Sequence, residues 1–155
     1  MAARDVEVVV GPGEGKTFSG RGGGYTLVTK ATEEETQGAY AFQEMTVAPG
    51  FPWVPPHIHH NEDEAMYVLE GECTVRVGGR TRTLGPGTFV LMPRGVVHTF
   101  SNPGTVQTRV IVISSPGAVI RYFEEAAELT NASPTGQPDM ERLAALAGRY
   151  GVMFV

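Results

Sequence analysis

Polar and apolar positions alternate along much of this chain, and the alternation is the first structural signal. In "ECTVRVGG" (72–79), Cys73, Val75 and Val77 share one face while Glu72, Thr74 and Arg76 share the other, as in a half-buried strand. Similar patterns predict strands in "DVEVVV" (5–10), "YTLVTK" (25–30), "AYAFQEMTVAPG" (39–50), "MYVLEG" (66–71), "RTRTL" (80–84), "TFVLMP" (88–93), "VVHTFSN" (96–102) and "VQTRVIVIS" (106–114). "VGGRT" reads as a hairpin turn, because Gly-Gly supplies the positive φ such a turn needs. "GPG" (85–87) and "NPG" (102–104) read as turns as well. "GPGEGKT" (11–17) is no phosphate loop, since Gly11 and Gly15 are one residue too close and no helix follows; a mobile loop is expected.

Near residue 117 the period lengthens to that of a helix. "AVIRYFEEAAELT" (118–130) and "PDMERLAALAGRYG" (138–151) predict two amphipathic helices. Pro138 suits a first helical turn, and Gly148 or Gly151 can end the second helix. Nine or ten strands followed by two helices predict a mainly β sandwich or closed barrel with the helices outside or capping one end.

Composition narrows the class. With 155 residues, one domain spanning 1–155 is expected: a barrel core over about 25–115 and helices over about 117–150. The 20 Gly and 11 Pro are scattered along the chain, as many short strands require. A net charge of −5 and the lack of a basic run point away from nucleic acid. No apolar run reaches the roughly 18 residues of a membrane span, and the first residues lack the pattern of a signal peptide. The one cysteine, Cys73, excludes an internal disulfide and reads as a core residue. A cytoplasmic protein is the resulting expectation.

The candidate chemistry lies in "PPHIHHNEDEAMYVLEG" (55–71). His57 and His59, two apart on a strand, face the same way. Glu64 is at an odd offset from them, so "HNED" must turn or bulge the chain. His98 falls on a later strand that a barrel can bring alongside. Three imidazoles and a carboxylate on one cation would leave coordination positions open, which a catalytic metal site needs. His60 has the opposite phase and reads as solvated or supporting. Glu62 and Asp63 read as turn carboxylates, one of which could orient a ligand histidine through its other nitrogen. Phe51, Trp53, Met66, Phe89, Phe100 and Phe123 are candidates for an apolar pocket beside the metal, with Phe51 and Trp53 at its mouth.

The spacing resembles that of the cupins. Gly50, six residues, His57-Ile58-His59, four residues, Glu64, six residues and Gly71 follow their first motif. Gly87, Pro93, Gly95, His98 and Asn102 follow the second. The C-terminal helical tail is similar to that of bacterial single-domain cupins grouped with quercetin 2,3-dioxygenases. The resemblance implies a single-domain double-stranded β-helix, or jelly-roll barrel, with two C-terminal helices. It implies one divalent transition metal (Fe, Mn, Co, Ni or Zn) on His57, His59, Glu64 and His98, with Glu64 also catalytic. The activity implied first is a dioxygenase acting on an aromatic, flavonol-like or polyketide-like small molecule. A cyclase, isomerase or decarboxylase using the metal as a Lewis acid, or a non-catalytic binder, stays open. A small-molecule partner and a homodimer are expected, with no nucleic acid and no membrane.

Overall fold

The computed structural model describes residues 7–135 and 139–155. Among the described residues there are eleven strands: β1 (Lys16–Gly20), β2 (Tyr25–Ala31), β3 (Ala41–Val47), β4 (His57–His59), β5 (Asp63–Glu70), β6 (Cys73–Val77), β7 (Arg80–Leu84), β8 (Phe89–Met92), β9 (His98–Ser101), β10 (Thr108–Ser115) and β11 (Val152–Phe154). Two helices, α1 (Ile120–Asn131) and α2 (Met140–Arg149), separate β10 from β11. The strands form two antiparallel sheets, one ordered β1-β2-β3-β10-β5-β8 and the other β11-β4-β9-β6-β7. Their inner faces meet in one core: Leu27, Met45, Met66, Val68, Val110 and Val112 from the first sheet, Cys73, Val75 and Leu84 from the second. This is the mainly β, two-sheet architecture with two C-terminal helices that the alternation predicts, in the jelly-roll form that the resemblance implies.

Local chemistry explains most boundaries. Gly78 and Gly79 both have positive φ (53° and 83°), so β6 and β7 close in register with Val77 opposite Arg80. The Asp139 carboxylate caps α2 by accepting from the backbone N–H groups of Glu141 and Arg142 at 3.1 and 3.2 Å. Asn102 ties its corner from both ends of its amide. Its Nδ2 donates to the carbonyls of Val47, Ala48 and Val106, and its Oδ1 accepts from Gly104 N–H. Leu143, Leu146 and Ala147 give α2 its buried stripe, packed with Val119 and Tyr122.

Three expectations need correction. Residues 7–10 form no strand, while Asp5 and Val6 lie outside the described residues, as does Pro138. The last two residues of the stretch expected to be a mobile loop, 16–17, instead open β1, which pairs with β2 from Lys16–Thr29 to Gly20–Tyr25. A Gly-rich neighbourhood hides a strand whose stability comes from its partner rather than from local propensity. β11 was not expected at all: its three residues pair with β4, Val152 opposite His59 and Phe154 opposite His57. Among the described residues, no helix is long and apolar enough to cross a membrane.

Candidate metal centre

Both sheets contribute to the cluster. β4 supplies His57 and His59, and β9 supplies His98, which sits directly opposite His57 in the ladder. The three rings pack with centroids 4.5 to 5.1 Å apart. The chain then leaves that sheet at His60–Glu62 and enters the other at Asp63, where β5 carries Glu64 back toward the rings from the facing sheet. The odd offset between His59 and Glu64 is therefore a change of sheet.

Glu64 Oε2 lies 3.3 Å from His98 Nε2 and 3.7 Å from His59 Nε2. One ligand atom from each of His57, His59, Glu64 and His98 falls within 4.8 Å of all the others. Ligands about 2.1 Å from one ion would stand about 3 Å apart at right angles and about 4 Å apart when opposed. The cluster is thus slightly wider than a loaded site and needs only small side-chain shifts to close on an ion.

The backs of the rings are tied. His57 Nδ1 lies 2.8 Å from the Pro55 carbonyl oxygen and His98 Nδ1 lies 3.0 Å from that of Val96. A carbonyl can only accept, so both rings donate from Nδ1; this leaves the Nε2 lone pair of His57 facing inward, while in the metal-free cluster His98 Nε2 donates to Glu64 Oε2 at 3.3 Å and would give up that proton on binding an ion. His59 Nδ1 lies 3.5 Å from Glu62 Oε2, and both of those residues are fully buried. Both ring nitrogens of His59 lack a hydrogen-bond partner. A buried imidazole with an unmet inward nitrogen is costly unless something binds it. The donor set and this unmet atom fit a divalent transition metal held by three imidazoles and one carboxylate.

Charge in the cluster is uneven. Burial alone would raise the Glu64 carboxyl, but the hydrogen bond from His98 and the neighbouring His59, His98 and His57 bring it down to about 2. Burial, with His98 and His59 beside it, lowers His57 to about 4. His98 is also pulled down by burial, yet its hydrogen bond and attraction to Glu64 leave it raised. At neutral pH the centre is therefore a carboxylate facing a neutral His57.

A cavity of about 120 Å³ opens beside the cluster. His57 and Glu64 lie in its wall with Leu27, Met45, Met66 and Phe100 from the barrel. Tyr122 and Phe123 of α1, Leu143 of α2 and Phe154 of β11 roof it. Phe123 and Phe154 also pack on the rings of His59 and His57, with centroids 6.1 and 6.3 Å apart.

The candidate pocket residues separate on folding. Met66, Phe100 and Phe123 line this cavity. Phe51 is buried against Phe100 and Tyr25, and with Trp53 it lines a second hollow on the other side of Arg21. Trp53 is half exposed and stacks under the Arg76 guanidinium, so it stands away from the metal cavity. Phe89 is 60% exposed on the outer surface. His60 is exposed, and Asp63 pairs with Arg94 at 3.0 Å instead of joining the cluster. Cys73 is a buried thiol pushed up to about 12 by burial, hence unreactive. The sequence reading did not single out Arg21, Tyr25, Thr130, Leu143 or Phe154 for the cavity; none carries a motif, and only the tertiary fold brings them there.

Residues 43–114 match the family described as the cupin domain. The match spans just under half of the chain. Among curated relatives, the tetracenomycin polyketide synthase protein TcmJ of Streptomyces glaucescens is 35% identical over 100 residues, covering 63% of this chain and 65% of TcmJ. The quercetin 2,3-dioxygenase of Bacillus subtilis is 30% identical over 67 residues, covering 43% of this chain and 20% of that enzyme. This chain therefore spans less than two thirds of either relative. Among solved structures, the polyketide cyclase RemF of Streptomyces resistomycificus superposes with a TM-score of 0.55 at 25% identity, over 74% of this chain and 80% of its own. An RmlC-like cupin from Shewanella frigidimarina superposes at 0.58 and 23% identity, over 69% and 89%, a likeness of fold.

Proposed function

We propose that this cupin is a metal-dependent enzyme acting on an aromatic or polyketide-like small molecule, with ring closure as the reaction favoured. One observation carries the reading. Three inward imidazole nitrogens and one carboxylate converge at the wall of a cavity that is otherwise mostly apolar. A divalent metal bound there would supply Lewis acidity toward a substrate ketone or enol oxygen.

The chain's own groups do the rest. Glu64 is the only carboxylate lining the cavity among the described residues, and its low pKa keeps it ionised. It is placed to accept a hydrogen bond from an enol or phenol O–H of the substrate, orienting that proton rather than keeping it. Met66, Phe100, Phe123 and Phe154 exclude water from that contact. The relatives set the order of preference: TcmJ and RemF are named for polyketide synthesis and cyclisation and cover more of this chain than the dioxygenase does. Dioxygenation, the activity the cupin motifs suggested first, is the second reading and rests on the likeness to quercetin 2,3-dioxygenase.

The test is metal analysis of the purified chain, followed by incubation with poly-β-ketone and polyphenol substrates in an oxygen electrode cell. The expected result is about one transition metal per chain and conversion with loss of water but no oxygen uptake. Metal-dependent oxygen uptake would replace cyclisation with the second reading. A chain that binds no metal when supplied with Zn, Fe, Mn, Co and Ni would overturn both.

A further inference from the structure

The wall of the metal cavity contains one cationic side chain, Arg21. It follows β1 and sits on the short turn Arg21–Gly23. Its backbone has φ 52°, a left-handed conformation that costs energy in a residue with a side chain. The guanidinium lies 5.6 Å over the Phe51 ring, and its one hydrogen bond among the described residues is a long 3.4 Å contact to the Trp53 carbonyl. No carboxylate pairs with it among the described residues; the same holds for Arg76, Arg80, Arg82 and Arg142, but those are exposed, whereas Arg21 is half-buried in the cavity wall. Tyr25 and Tyr122, neutral phenols, line the same cavity. A guanidinium held over an aromatic face beside an apolar cavity, with most of its five donors free, is a preformed anion receptor.

We infer that Arg21 is a substrate-binding residue that receives a carboxylate on an otherwise apolar aromatic substrate. The inference rests on the cavity assigned above and names the substrate class more narrowly: an aromatic acid whose carboxylate meets Arg21 while the rest of the molecule fills the space toward Glu64. Metal binding would then act on other oxygens of the substrate. The side chain also borders the hollow formed by Gly24, Pro49, Phe51 and Trp53, so the anion end stands where the cavity approaches solvent.

The test compares 2-naphthoate with its neutral isostere 2-naphthamide by isothermal titration calorimetry. It uses metal-loaded wild type, chelator-treated wild type and the His59→Ala, Arg21→Gln and Arg21→Lys variants. An ion-assisted hydrogen bond favours the acid by about tenfold or more. The expected result is that preference in wild type with and without metal and in His59→Ala, its loss in Arg21→Gln and its partial return in Arg21→Lys. A preference that survives Arg21→Gln would overturn the assignment. So would one that disappears with the metal, which would place the carboxylate on the metal and leave the metal reading intact. Equal affinity for the two probes in wild type, or no binding of either, would also overturn it. Circular dichroism and the melting temperature of Arg21→Gln separate loss of the receptor from loss of the fold.

Discussion

At the scale of residues, the candidate metal centre depends on which atoms are tied back. The carbonyls of Pro55 and Val96 hold His57 and His98, but His59 has only Glu62 behind it. Glu62→Gln keeps the shape and removes the charge. It is expected to weaken metal binding about 10- to 100-fold in a competition titration with a chelator; an unchanged affinity would show that Glu62 merely fills space. His57→Gln tests the electrostatics. In the metal-free protein His57 has a pKa of about 4, below the 6.5 of a free imidazole. Between those values the unfolded chain binds more protons at this residue than the folded one. Its contribution therefore lowers stability as pH falls from 6.5 toward 4, and the penalty is absent above 6.5. His98, with its raised pKa, contributes in the opposite direction, so the variant is what isolates His57. The melting temperature of the metal-free His57→Gln chain should fall less steeply over that interval than that of wild type; parallel curves would contradict the burial argument.

At the scale of elements, β11 braces the ligand strand. β4 is only three residues long and touches β9 through a single ladder pair. On its other edge β11 pairs with all three residues, His60 N–H donates to the Gly151 carbonyl at 2.9 Å, and Val155 N–H donates to that of Pro56 at 3.0 Å. Gly151 sits at the joint between α2 and β11 with φ 73°, and a Cβ there would stand 2.3 Å from Asn61 Nδ2. Gly151→Ala is therefore expected to cost about 1 kcal/mol or more, roughly a 3 °C fall in Tm for a domain of this size. It should also weaken metal binding, because Asn61 anchors the turn between the ligand strands through the Tyr150 carbonyl. Calorimetry and a metal titration on the same variant check both effects; a stability loss with unchanged metal affinity would limit β11 to packing.

At the scale of the whole molecule, the cluster joins two sheets. Three ligands lie on β4 and β9 of one sheet and the fourth on β5 of the other. A bound ion would cross-link the layers, and an ion that binds only the folded chain stabilises it by about 2.7 kcal/mol at a hundredfold excess over Kd. Adding Zn or Co to chelator-treated protein should thus raise Tm by about 5–10 °C, and His98→Ala should abolish most of the rise. A Tm indifferent to metal in wild type would argue that the four side chains bind no ion.

The sequence by itself determined the candidate ligand set and the sheet chemistry around it. Alternation set which faces are buried, Gly78-Gly79 set the β6–β7 turn, and His57, His59, Glu64 and His98 stood at spacings that local geometry could support. These are short-range properties, governed by the two-residue period of a strand and the φ preferences of single residues. Only the tertiary structure decided that the chain changes sheet between His59 and Asp63, that Lys16–Gly20 pairs as a strand and that Val152–Phe154 returns to brace the ligands. It alone placed Arg21 and Phe154 in one cavity while sending Phe89 and Trp53 elsewhere. Those outcomes depend on pairing between segments far apart in the chain, and the free energy of such pairing belongs to the partner as much as to the segment itself.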